Sequence, residues 1–251
     1  MMKRVEHARL APFGVPALAG SPASDETSDR LKPGLQATPG IADFTLWQLA
    51  DSAFPTGGFA HSGGLEAAWQ HGEARNRDEL LAFLETSLRQ LGRAALPFVN
   101  TGFDEPDRLE ELDQLCDAFL SNHVANRASR LQGRAFLAAV ERIFAERRSP
   151  PPFAHFAPVF GASFRRLNIP RETTVQMFFF NHLRGLLAAA VRLNIVGPME
   201  AQVLQHRLSS LAEEMVARSA TFTLADLAQT APLLDLWQGA QDRLYSRLFQ
   251  S

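Results

Sequence analysis

The chain has 251 residues, 46% of them hydrophobic, and a formal net charge of −2, which suits a globular protein with a sizeable core and one or at most two domains. This balance excludes the strongly basic field of a general nucleic-acid binder. The only cysteine, Cys116, excludes an intramolecular disulfide and a multi-cysteine metal site within one chain, and fits a reducing, cytoplasmic setting. No run of ~18 apolar residues predicts a membrane span, and Lys3-Arg4 lacks the apolar stretch that would make a secretory signal.

Residues 1 to about 40 are rich in proline, glycine and serine without periodicity, and read as an extended N-terminal arm. From about residue 41 to 251 the period is helical. Leu81, Leu84, Leu88 and Leu91 recur at three- and four-residue steps. So do Phe136, Val140, Ile143 and Phe144, then Leu183, Leu187, Ala190 and Val191, and finally Leu204, Leu208, Leu211 and Met215. Asn76 three residues before Glu79, and Thr223 three before Asp226, have the spacing of helix-start capping boxes. Pro106, Pro170, Pro198 and Pro232 each stand where a first helical turn would begin. No segment alternates as a strand does, and Val and Ile are scarce beside Leu and Ala. The expected fold is all-α, a single-domain bundle of roughly eight to ten helices, with breaks near 54–61, 72–76, 101–105, 149–153, 168–170, 197 and 231.

The most distinctive stretch is Asp51 to Glu66, D-S-A-F-P-T-G-G-F-A-H-S-G-G-L-E. It gathers a histidine, a serine and four glycines, so a helical hydrolase using His61 and Ser62 is one reading. Ala60-His61-Ser62-Gly63-Gly64 lacks the first glycine of a nucleophile elbow, however, and a helix rather than a strand is expected before it. A phosphate cradle is a second reading, but no Gly-Lys-Ser/Thr follows. A tight loop between helices is the third, with Ser62 to Glu66 starting the next helix.

Of the seven histidines, His7, His61, His71, His123, His155, His182 and His206, no two have the one-turn spacing of a helix-borne metal site. No metal ligand or cofactor is expected, and a hydrogen-bonded structural role or a place on the surface is expected for all except His61. Glu110-Glu111 and Glu213-Glu214 read as solvated faces. Arg127, Arg130 and Arg134 share one helix side. This stripe would bind an acidic protein or RNA, or pair with the acidic run Asp104 to Asp113. Phe178-Phe179-Phe180 reads as core or as an exposed strip. The closing segment, Asp242 to Ser251, is apolar almost to its last residue, so it packs on its own domain or enters a partner's groove.

Phe54, Pro55, Gly57, Gly58, Phe59, His61, Ser62, Gly64, Leu65 and Glu66 closely resemble the signature of the urease accessory protein family UreF. Arg127 to Gly133, His155 to Gly161 and Tyr245 to Ser251 are also similar to that family, extending the resemblance over about 44–251. The resemblance implies an all-α homodimer that is a scaffold and not an enzyme. It implies binding of UreD (also called UreH), recruitment of the GTPase UreG, and help with nickel insertion into the urease apoprotein. Neither nucleic acid nor membrane figures among the implied partners. It also implies that the segment carrying Tyr245, Arg247, Leu248 and Phe249 orders on contacting UreD, and that the Phe59 loop lies near the UreG-facing surface. Gln241 stands where many members have histidine, which removes a metal contact there but keeps hydrogen bonding.

Overall fold

Helical periodicity is realised in ten α-helices among the described residues, 43–146 and 149–251 of this computed structural model. They are α1 (Asp43–Ala50), α2 (Leu65–His71), α3 (Arg77–Ala94), α4 (Leu96–Asp104), α5 (Leu109–Phe119), α6 (His123–Phe144), α7 (Phe156–Arg166), α8 (Arg171–Arg192), α9 (Pro198–Ser219) and α10 (Pro232–Ala240). No strand occurs among the described residues, and none of their helices is long and apolar enough to cross a membrane. The N-terminal arm expected before residue 41 lies outside the described residues.

Two short helices organise the bundle because they are buried all round. Every residue from Ala157 to Phe164 in α7, and from Leu96 to Phe103 in α4, is buried, as a helix without a polar face must be. They cross at glycine: a Cβ added at Gly161 would lie 2.1 Å from the Val99 carbonyl oxygen of α4. Gly133 of α6 similarly admits the segment that leads into α7, where a Cβ would come 1.9 Å from the Ala154 oxygen. Around this crossing Phe160 and Phe164 stack with ring centres 4.0 Å apart, and Phe136 and Phe178 meet Phe160 at 5.5 and 5.3 Å. The longer amphipathic helices α3, α6, α8 and α9 close over this core largely with the faces expected from their spacing: Leu84, Leu88, Val140, Leu187, Leu204 and Leu208 are all buried, while Ile143, in the last turn of α6, is exposed.

Caps and breaks follow local chemistry, with some shifts. The Asn76 side chain accepts from Asp78 N and Glu79 N, but Glu79 reaches Arg75 N at 2.7 Å and not the cap residue's own N–H. Thr223 and Asp226 form the full reciprocal box, on a 3₁₀ turn (Leu224–Asp226) instead of an α-helix. Pro198 and Pro232 open their helices, whereas Pro170 is the cap residue before α8. Phe178 and Phe179 are core, while Phe180 is 39% exposed and lies under Arg184 at 5.6 Å.

Gly161→Ala and Gly133→Ala are expected to lower stability by at least the ~1–3 kcal/mol of overpacking. Urea denaturation checks this, and unchanged midpoints would mean that the crossings are looser than described.

Candidate partner-binding site

Between α1 and α2 the chain turns through residues 51–64. Phe54 points inward, its ring 6.0 Å from Phe136 of α6, while Pro55 is exposed. Gly57, at φ 71°, leads into a 3₁₀ turn (Gly58–Ala60) that lifts Phe59 out to 75% exposure. Gly64, at φ 89°, is required twice over: its backbone is left-handed, and a Cβ would lie 2.9 Å from Gln238 N of α10. With two left-handed glycines at 63 and 64, α2 starts at Leu65 and not at Ser62 as the sequence suggested.

The first turn of α2 then places Glu66 inside the protein at 1% exposure, a position that a carboxylate tolerates only when hydrogen-bonded. Its donors come from the far end of the chain. Leu248 N donates to Oε1 at 2.6 Å, Phe249 N to Oε2 at 3.1 Å, and Gln241 Nε2 to Oε2 at 2.6 Å. Gln241 also donates to the Phe249 carbonyl at 3.3 Å. The tail, residues 241–251, thus packs on its own domain. Two main-chain bonds finish the seam, Gln250 N to Ala60 O at 2.8 Å and Ser62 N to Ser251 O at 2.5 Å. Arg192 of α8 clasps it from the side, donating to the Phe59 carbonyl while its guanidinium lies 4.2 Å from the centre of the buried Phe249 ring.

His61 closes this seam. Its Nδ1 shares a 2.5 Å hydrogen bond with the Ser251 hydroxyl. Burial, and then the nearby charge of Arg127, push the His61 pKa down to about 4, so the ring is neutral at pH 7. Ser62 is fully buried and its Oγ accepts from Glu66 N at 3.4 Å. The nucleophile and base of the hydrolase reading are therefore not paired with each other.

Arg127 of the basic stripe does pair within the chain, though with Asp242 and not with the acidic run, and Arg134 is exposed. Arg127 forms a two-pronged pair with Asp242 at 3.0 and 2.8 Å, and Arg130 lies 5.1 Å over Phe153. Asp113 of the acidic run instead receives the N–H groups of Phe153, Ala154 and His155 at 2.7, 3.0 and 2.7 Å. His155 is buried between Ser129 Oγ and Asp117 Oδ1, both at 3.1 Å, and His182 bonds Ser87 at 2.7 Å; these are structural histidines. Burial pushes the Cys116 thiol upward, away from the thiolate form.

The UreF family profile matches residues 74–209. "Urease accessory protein F" of Oryza sativa subsp. indica is 40% identical over 219 residues, 82% of this chain and 84% of that one. The protein of the same name from Arabidopsis thaliana is 38% identical, covering 83% and 92%. "Urease accessory protein UreF" of Mycobacterium tuberculosis (strain ATCC 25618 / H37Rv) is 32% identical, covering 82% and 97%. The chain belongs to the UreF family.

Of the residues singled out from sequence, Gly57, Gly58, Phe59, His61, Ser62, Gly64, Glu66, Leu248 and Phe249 are brought into one UreF seam. Phe54 serves the core beneath it. Tyr245, at 105% relative exposure, and Leu248, at 59%, face outward with Phe59. Sequence reasoning missed Arg192, because it acts through partners far away in the chain, and it placed Asp242 and Ser251 in the closing segment without giving either a role.

Glu66→Ala would leave the Leu248 and Phe249 N–H groups unmatched and take one of the two acceptors from Gln241 Nε2, at about 1–3 kcal/mol for each donor left unsatisfied and buried. The tail is expected to undock, read as loss of amide protection at 248–251 with the helical circular dichroism retained. Separately, an undocked His61 regains a pKa near its ordinary 6.5, so protons bind the undocked form first. Docking is then fully stable above ~6.5 and weakens as pH falls toward 4. Protection of 248–251 should drop between pH 7 and 5, and drop less in His61→Asn.

Proposed function

We propose that this chain is a urease maturation factor that binds UreD/UreH and, with it, recruits the GTPase UreG to the urease apoprotein for assembly of the nickel metallocentre. It acts as a scaffold in the cytoplasm, as a homodimer, and its partners supply the chemistry. The observation that carries this reading is the joining of the two most distinctive segments, 54–66 and 241–251, into one seam that buries its polar groups and exposes Phe59, Tyr245 and Leu248. Membership of a family whose relatives are named urease accessory proteins supports the pathway.

The arrangement suits recognition better than catalysis. A catalyst needs a nucleophile and base with open access to substrate, whereas Ser62 is sealed in and His61 is engaged by Ser251. Exposed aromatic and aliphatic side chains around a backbone fixed by hydrogen bonds form a preorganised docking surface, in which a few anchors carry most of the affinity. Coupling of partner states would follow from differential affinity of this surface for them.

Co-expression with UreD and UreG, followed by size-exclusion chromatography, should give a three-component complex. Phe59→Ala should lose UreG from it by about tenfold or more in affinity, the scale of a hot-spot anchor, with UreD retained and the fold intact. Wild-type chain eluting apart from both proteins would overturn the reading.

A further inference from the structure

Beside the apolar anchors runs a charged groove. About 510 Å³ of open space is lined by Arg127, Asp242, Arg247, Leu248, Phe249 and Gln250. Its floor is organised on one carboxylate. Asp242 accepts from Arg127 at 2.8 and 3.0 Å, from Arg247 Nη1 at 2.9 Å, and lies 3.3 Å from His123 Nε2. The Arg127 hydrogen bonds hold the Asp242 carboxyl below its usual range, so it is ionised throughout the neutral region.

One anion thus faces two permanent cations. A guanidinium carries five N–H donors, and Arg247 uses a single Nη1 contact within the described residues. The side chains of Arg127 and Arg247 stay 44% and 42% exposed. The pairing already present shows how the site holds a carboxylate: Asp242 sits on Arg127 in the two-pronged geometry by which arginine selects carboxylates. Exposed Leu248 on the same wall adds an apolar contact beside the charges.

We propose that this groove receives an acidic, partly apolar segment of a protein partner, whose carboxylates bind Arg247 and Arg127 while Asp242 serves as the internal stand-in that keeps both guanidinium groups placed before it arrives. Charge complementarity selects the occupant: one excess positive charge, directional donors suited to carboxylate, and an aliphatic neighbour. Asp242 also sets a threshold, since an incoming acid has to compete with it. This goes beyond the maturation reading by naming the chemistry of a contact, and its test uses the full chain alone, so it succeeds or fails apart from formation of the three-component complex.

The probe is a fluorescein-labelled peptide of alternating Glu and Leu, compared with its Gln-for-Glu twin by fluorescence anisotropy at low and raised salt. The Glu peptide should bind more tightly, with a lead that shrinks as salt rises. Arg127→Ala and Arg247→Ala should each weaken it roughly two- to fivefold, the range of exposed ion pairs. Asp242→Asn should tighten it by a similar factor, a direction that damage to the fold would not produce. Equal binding of the two peptides, or no gain in Asp242→Asn, would overturn the proposal. So would displacement by inorganic phosphate or a single-stranded RNA oligonucleotide at lower concentration than by unlabelled Glu peptide, which would assign the groove to those anions.

Discussion

Glu66 has its two carboxylate oxygens turned inward toward Leu248 N, Phe249 N and Gln241 Nε2, and the geometry of the whole seam between loop and tail depends on that fork. A tail of eleven residues with one 3₁₀ turn, Gln241–Arg243, has little regular structure of its own to hold it. Here the tail's backbone donors are matched by a buried acceptor that would itself be costly without them. The dependence is mutual. Once 248 and 249 are fixed, Phe249 enters the core under Arg192, Ser251 reaches His61, and Tyr245 and Leu248 are left facing solvent.

The seam in turn depends on a rigid bed. α2 can present Glu66 inward only because Gly64 lets the chain enter the helix from a left-handed turn pressed against α10. α6 brings Arg127, and α8 brings Arg192, from helices whose opposite faces are locked into the phenylalanine cluster around α7. The glycine crossings of α7 with α4 and α6 therefore matter at a distance. They fix helix axes, and the axes fix where two arginines stand.

Much of the fold was legible in the sequence because helices announce themselves locally. The three- and four-residue spacing of Leu81 to Leu91 named the buried face of α3, and Asn76 named its start. The loop was legible for the same reason, since glycines at 57, 63 and 64 mark backbone that other residues avoid. Less visible was anything whose meaning lies across the chain. Glu66 meets residues 182 and 183 positions away, and nothing local distinguishes it from a solvated acid in a first helical turn. Arg127 looked like part of a stripe, yet its partner is Asp242 and not the nearby acidic run. The start of α2 slipped by three residues because helix propensity is blind to the α10 backbone that forces the turn at Gly64.

The division of polar and apolar groups at the seam also bears on what this surface is for. Reactive-looking side chains are matched internally: His61 with Ser251, Ser62 with the backbone of α2, Glu66 with the tail, and Asp242 with two arginines. What remains outward is the aromatic ring of Phe59, the Tyr245 ring, the Leu248 side chain and the spare donors of Arg247. A surface of that kind offers shape, apolar anchors and directional charge, held in advance by hydrogen bonds, so a partner that binds meets little further ordering cost. The same His-Ser cluster that looks like an active site in one dimension is, in three, the fastening of the loop to the tail and to α2.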